Sequence, residues 1–325
     1  MAVLFVGSEL ECFADSTGNA TEVTTAGYFE SAFSRCAVRP STAAFTDSIT
    51  ALFNAPASEI WTHVFVRSPV AFSATNRVWW QWSAGATPLF RAIFLNTNSA
   101  VTTFQYWNGA AWVAIGTTWT PAAQTTYTLD FHIKGGASGG FNFYVGGVLT
   151  SNGTASMTSV ANLDRLAVFA TSTSIPTYIS QLAVKTDSTF DCKVYTLPPT
   201  GNGNYTAWTG SYLDIDEVPL SDTDFIAGNA AGDRETVVNS AVTPIPGIIE
   251  AVTVSGRARR GATGPQNMQI SLRKGGVDYD SATMAQSLSF SPYQNVWETD
   301  PSTGVAWTPT DAFSTALEYG YEAIT

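Results

Sequence analysis

The sequence predicts an all-β protein of two antiparallel β-sandwich (jelly-roll-like) domains, residues 1–195 and 196–325, with one short helix near the C-terminus. Three observations predict it. Charged residues make up only 13% of the 325 residues while 45% are hydrophobic, and a chain so rich in Thr, Val, Phe and Trp favours sheet over helix. Short segments of period-two alternation recur about every 8–12 residues between glycine and asparagine turns, the pattern of a sandwich or barrel. A Pro/Gly/Asn-rich stretch, TLPPTGNGN at 196–204, reads as a linker between domains.

The elements follow in order. Residues 61–67 (WTHVFVR), 78–82 (VWWQW) and 90–95 (FRAIFL) alternate as strands, with a Gly-Ala-Thr-Pro turn between the last two. Residues 103–107 and 111–115 flank Asn108-Gly109, a strong hairpin signal. Residues 126–133 alternate again, the glycines at 135–140 turn the chain, and 141–145 return before Gly146-Gly147. Residues 163–171 and 177–185 add two strands. Beyond the linker, 247–256, 267–274, 277–280, 287–293 and 317–324 read as strands. Thr308 is placed to cap a helix, with Pro309 at its first position and Asp311 in its first turn, running to about Leu317.

Composition narrows the function. Fifteen basic against 26 acidic residues give a net charge of −11. That argues against a nucleic-acid partner, whose phosphates need a basic field, and disfavours an anionic membrane surface. The opening residues have no basic region and no long apolar run, so no secretory signal is expected. Nor does any segment approach the ~20 apolar residues of a membrane helix. Three cysteines, Cys12, Cys36 and Cys192, are too few for a disulfide framework and read as free thiols.

Candidate chemistry is sparse. His63 and His132 both sit in strand patterns and read as structural. No G-x-S-x-G nucleophile turn occurs. The first domain lacks the alternating acid run that glycosidases use, since Glu59, Asp130 and Asp164 are isolated. No catalytic residue is therefore assigned, and the chain is expected not to be an enzyme. Asp214, Asp216, Asp222 and Asp224, with Glu217, concentrate hard oxygen ligands and read either as a calcium loop or as a solvated acidic edge. No other cofactor is expected. Trp79, Trp80 and Trp82 crowd one strand, with Trp80 and Trp82 on one face and Trp79 on the other. Trp107 and Trp112 flank the Asn-Gly hairpin, with Trp119 nearby. These tryptophans are candidates for core packing, a protein partner or stacking on a sugar. Arg257 and Arg259 share a strand face, and read as pairing with acids of the same chain or docking on a carboxylate of a neighbouring subunit.

Two resemblances add to this. The segments WTHVFVRS, YTLDFHIKGGASGGFNFYVGGVL, DRLAVFATST and YISQLAVKTDST, within residues 1–190, resemble the concanavalin A-like (laminin-G-like) jelly roll. In that fold the last of these segments would pair beside the N-terminal strand. The whole chain, with MAVLFVGSELE, TGSYLDIDE, ISLRKGG and the spaced tryptophans of WETDPSTGVAWTPTDA, resembles virion structural proteins of tailed bacteriophages. That resemblance implies a non-enzymatic particle component assembled in the bacterial cytoplasm. It implies contacts with other virion proteins and with copies of itself, and a cell-surface glycan as a further partner. A tail-associated protein leads the readings; a capsid decoration protein and a carbohydrate-binding adhesin are the alternatives, and a glycan hydrolase is disfavoured.

Overall fold

The computed structural model describes residues 2–15, 19–44, 46–68, 76–94, 101–170, 177–239, 242–243 and 246–325. It is nearly all antiparallel β, with one short helix near the C-terminus. The chain divides into two compact units, Met1–Tyr195 and Thr196–Thr325.

The first unit is a sandwich of two sheets. The eight-stranded sheet runs Val148–Met157, Gly136–Val145, Thr126–Lys134, Glu59–Arg67, Tyr178–Lys185, Ala37–Arg39 and Thr21–Val23, with Val3–Gly7 also pairing on Tyr178–Lys185. That last pairing is the one the jelly-roll resemblance implies. The seven-stranded sheet runs Trp112–Trp119, Thr102–Trp107, Thr87–Phe94, Arg77–Ala84, Leu163–Phe169, Ser48–Ala57 and Ala14–Asp15. Leu95 and Thr171, the expected ends of two strands, lie outside the described residues.

Aromatic rings fill the space between the sheets. Trp80, Trp82, Phe90 and Phe104 point in from the seven-stranded sheet and meet Phe131, Phe141 and Phe143 of the other, all at 1% exposure or less. Trp82 lies 5.0 Å from Phe131, Phe90 4.9 Å from Phe141, and Phe104 4.6 Å from Phe141. These tilted contacts suit the ring quadrupoles, and each ring buries a large apolar area. The indole N–H of Trp82 donates to Thr62 at 3.3 Å, so the core absorbs a polar edge as well.

The second unit has its own core. Its six-stranded sheet runs Pro199–Thr206, Arg234–Asn239, Glu318–Ile324, Asn267–Lys274 and Val277–Asp280, with Met284–Ala285 also on Asn267–Lys274. Val252–Ala258 pairs with Ser291–Trp297 as a two-stranded ribbon. Val254 of the ribbon packs with Met268, Ile270 and Leu272 of the sheet and with Trp307, Ala312 and Leu317. Trp307 is buried and its indole donates to the Trp297 carbonyl at 2.8 Å.

Three expectations are corrected here. The stretch 196–204 is not purely a linker, because Pro199–Thr206 forms an edge strand against Arg234–Asn239. Proline is tolerated at the first residue of such a strand. Gly203 serves close approach, since a Cβ there would sit 2.4 Å from Thr236 Oγ1. The strand expected at 287–293 lies instead at Ser291–Trp297. The helix is capped by Thr308 as expected but spans only Pro309–Ala312. No helix among the described residues is long and apolar enough to cross a membrane.

If the aromatic seam holds the first unit together, Trp82→Ala should cost about 3–5 kcal/mol in denaturant unfolding. An unchanged midpoint would count against the seam.

Candidate functional site

The outer face of the seven-stranded sheet carries the candidate site. Its position follows from strand alternation. Register sets Gln81 opposite Arg91, Arg91 opposite Gln105, and Gln105 opposite Ala114. Their chain neighbours Trp80, Trp82, Phe90 and Phe104 point into the core, so this row points out.

The hairpin after Trp107 places the aromatic part. Asn108 accepts hydrogen bonds at its side-chain oxygen from the N–H groups of Ala110 (2.9 Å) and Ala111 (2.8 Å). Gly109 takes φ 98°, a left-handed geometry that glycine adopts without strain. The turn sets Trp107 opposite Trp112, with ring centroids 5.7 Å apart at 63°. Both rings are half-buried.

Arg91 joins the two parts. Its guanidinium carbon lies 3.9 Å from the Trp112 ring centroid, and its Nε donates to Gln105 Oε1 at 2.9 Å. Burial lowers its pKa, and no carboxylate offsets that loss. Arg234 and Arg273 behave in the opposite way, because the hydrogen bonds they donate to Asp280 and Asp278 raise theirs. The site is thus a cation stacked on an indole, flanked by two glutamines and a second indole.

The other sequence candidates fall elsewhere. Trp79, Trp80 and Trp82 are fully buried and present no binding surface. The expectation that Trp79 faces away from Trp80 fails at a β-bulge: register shifts between Val78 and Trp80, leaving Trp79 as the extra residue. Its ring then stacks 4.8 Å from Phe94 and its N–H donates to Thr177 at 2.8 Å. Trp119 turns toward the core as well, 5.1 Å from Phe143. Arg257 pairs with Asp222 of its own chain at 2.8 and 3.0 Å. Arg259 is exposed and lies 5.0 Å from the Phe290 ring and 5.9 Å from the Phe225 ring.

The acidic run 214–224 is divided among separate contacts. Asp214 is spent on a capping box, accepting from the Ser211 N–H at 2.7 Å, and Asp222 is held by Arg257. Glu217 is raised by burial and by its neighbours Asp224 and Asp216. Among the described residues no three His, Cys, Asp or Glu side chains are grouped to hold a metal.

The remaining titratable groups sit in structural contacts. His132 stacks on Trp61 at 4.2 Å and its Nε2 meets Glu59 at 2.9 Å. His63 and Asp130 are both buried and bond at 2.9 Å, with the Thr189 hydroxyl donating to the same carboxylate at 2.8 Å. Asp164 bonds Arg165 and the Gly85 N–H. Cys12, Cys36 and Cys192 form no disulfide with one another, and burial raises the pKa of the Cys36 thiol. Near Cys36, the Glu9 carboxylate is clamped by Arg35 and Glu22 accepts from the Leu10 N–H at 2.7 Å. Burial, then the charges of Glu9 and Glu22, push the Glu11 carboxyl up to about 8.

Arg91 was missed by sequence reasoning. Its signal was an isolated arginine inside an apolar strand (LFRAIF) with no acid beside it.

No protein-family model matches the sequence, and no curated protein matches it. Among solved structures, the chain is similar to the globular domain of Trypanosoma cruzi calreticulin at 10% identity and TM-score 0.44, covering 57% of this chain and 89% of that one. It is similar to a conserved carbohydrate esterase of the Shiga toxin-encoding bacteriophage phi24B at 15% identity and TM-score 0.41, covering 57% and 99%. A third is the carbohydrate-binding module CBM66 from Bacillus subtilis, at 12% identity and TM-score 0.35, covering 54% and 95%. These scores are too low to say anything about function.

Glu11 yields a pH test. A carboxyl that holds its proton more tightly when folded adds stability that is full below its ordinary 4.5 and is lost as pH rises toward about 8. The melting temperature should therefore fall across that range, and Glu11→Gln should flatten the fall. An identical slope in the variant would refute this assignment.

Proposed function

We propose that this chain is a non-enzymatic structural and binding protein of a tailed-phage virion. Its first unit holds a host glycan against the Trp107–Trp112–Arg91 face, and its second unit contacts other subunits. The observation that carries the binding reading is the pair of half-buried indoles beside an arginine with no carboxylate partner among the described residues, on the outer face of the sheet. Aromatic faces stack on sugar rings, while amides and guanidinium groups hydrogen-bond hydroxyls.

The second unit supports a contact role through a separate surface. Phe225 is 44% exposed, Leu288 is 58% exposed, and Arg259 lies over the rings of Phe225 and Phe290. Exposed aromatic groups beside an arginine are the residue types enriched at protein interfaces. The virion setting rests on the resemblance of TGSYLDIDE, ISLRKGG and the tryptophan block 297–312 to phage structural proteins. Tail placement is the leading form, because a tail is the part of a particle that meets the host surface. Head decoration is the second form.

Two measurements test this reading. On an array of bacterial polysaccharides the intact chain should bind, and Trp107→Ala with Trp112→Ala should abolish binding while the fold melts as before. Retained binding in that double variant would move the site elsewhere. Antibodies against the chain should label tails of purified particles by electron microscopy. Label on heads would favour decoration, and particles lacking the chain would overturn the virion role.

A further inference from the structure

Among the described residues, Arg91 lacks the carboxylate partner that several other cations of this chain hold. The protein has 26 acidic residues for 15 basic ones, and several of its basic side chains have taken a carboxylate. Arg234 holds Asp280, Arg257 holds Asp222, and Arg273 holds Asp278. Lys274 holds both Asp300 and Asp311. Arg91 is half-buried, and among the described residues its side chain makes one neutral hydrogen bond, to Gln105, and stacks on the Trp112 ring. One of its five N–H donors is used there, so the two terminal nitrogens keep their donors for an outside acceptor.

The chemistry of that acceptor follows from the group. Paired guanidinium nitrogens match the two oxygens of a carboxylate, and a desolvated fork of this kind binds an anion more strongly than a neutral oxygen. Stacking on Trp112 and the Gln105 bond hold the fork in place before any ligand arrives, which lowers the ordering cost of binding. The net charge of −11 repels polyanions at long range. An acidic ligand retained here would be held by a local contact, not by the general field. Gln81 and Gln105 flank Arg91 in the strand register and offer amide groups to hydroxyls. With Trp107 and Trp112 beside them, the surroundings fit a sugar ring better than a protein side chain.

We propose that this face selects acidic saccharides, with a ring carboxylate bound by Arg91 and the sugar packed beside Trp107 and Trp112. The proposal rests on the glycan-binding reading above and names the charge class of its ligand.

The test compares matched ligands on the intact protein. Oligosaccharides containing hexuronic or nonulosonic acids are titrated beside their carboxyl-reduced forms, which keep the ring and lose the charge. The acidic form should bind about tenfold or more tightly, the scale of one charge-assisted contact. Arg91→Gln should remove that preference, bringing the acidic and reduced forms to equal affinity, while Arg91→Lys should keep only part of it. Equal affinity of the native chain for both forms would overturn the charge selection and leave glycan binding standing, whether or not any variant folds. Preference retained in Arg91→Gln would assign it to another group. Binding of acidic peptides with no saccharide bound would overturn both readings.

Discussion

The candidate site depends on one constraint, the alternation of inward and outward residues through Trp80–Trp82, Phe90–Ala92 and Phe104–Tyr106 of the seven-stranded sheet. Trp82, Phe90 and Phe104 are committed to the aromatic seam, and their immediate neighbours Gln81, Arg91 and Gln105 are thereby committed to the opposite face. A one-residue slip would exchange the two sets. Such a slip would bury a guanidinium among phenyl rings, at a cost no nearby carboxylate offsets. The same rings that stabilise the fold therefore fix where the outward groups stand.

Local irregularities tune this pattern. The bulge at Trp79 lets two consecutive tryptophans lie inside, where Trp79 stacks on Phe94 and Trp80 lies 5.7 Å from Phe131. A second shift, between Trp82 and Ser83, falls opposite Leu89, which is also buried. Bulges strengthen twist and re-aim side chains. Here they add Trp79 and Leu89 to the buried set without disturbing the Gln81–Arg91–Gln105 row between them.

What the residues made legible follows from how local each signal is. Asn267–Lys274 and Val277–Asp280 stand where expected, because Gly275-Gly276 marks their turn and each strand alternates cleanly. The Asn108-Gly109 hairpin and the Thr308 cap were legible for the same reason. Ser48–Ala57 carries too little alternation to be recognised, and its pairing with Leu163–Phe169 spans more than a hundred residues. The edge strand Pro199–Thr206 reads as a linker because its glycines and asparagines answer to Thr236 and Glu318, which are distant in sequence. Among the candidate site residues, Trp107 and Trp112 were legible from the hairpin. Arg91 was not, because its lack of a counter-ion is a property of the assembled sheet. Within the acidic run 214–224, the Ser211 cap on Asp214 is local, whereas the Arg257 partner of Asp222 lies 35 residues on and appears only in the assembled fold.

The alternation is tested most directly by oxidising tryptophans of the native protein with N-bromosuccinimide and mapping the products by peptide mass. Trp107 and Trp112 should react well before Trp79, Trp80 and Trp82, which should stay protected until the first unit unfolds. Early oxidation of Trp80 or Trp82 in the folded chain would contradict the register on which the candidate site rests.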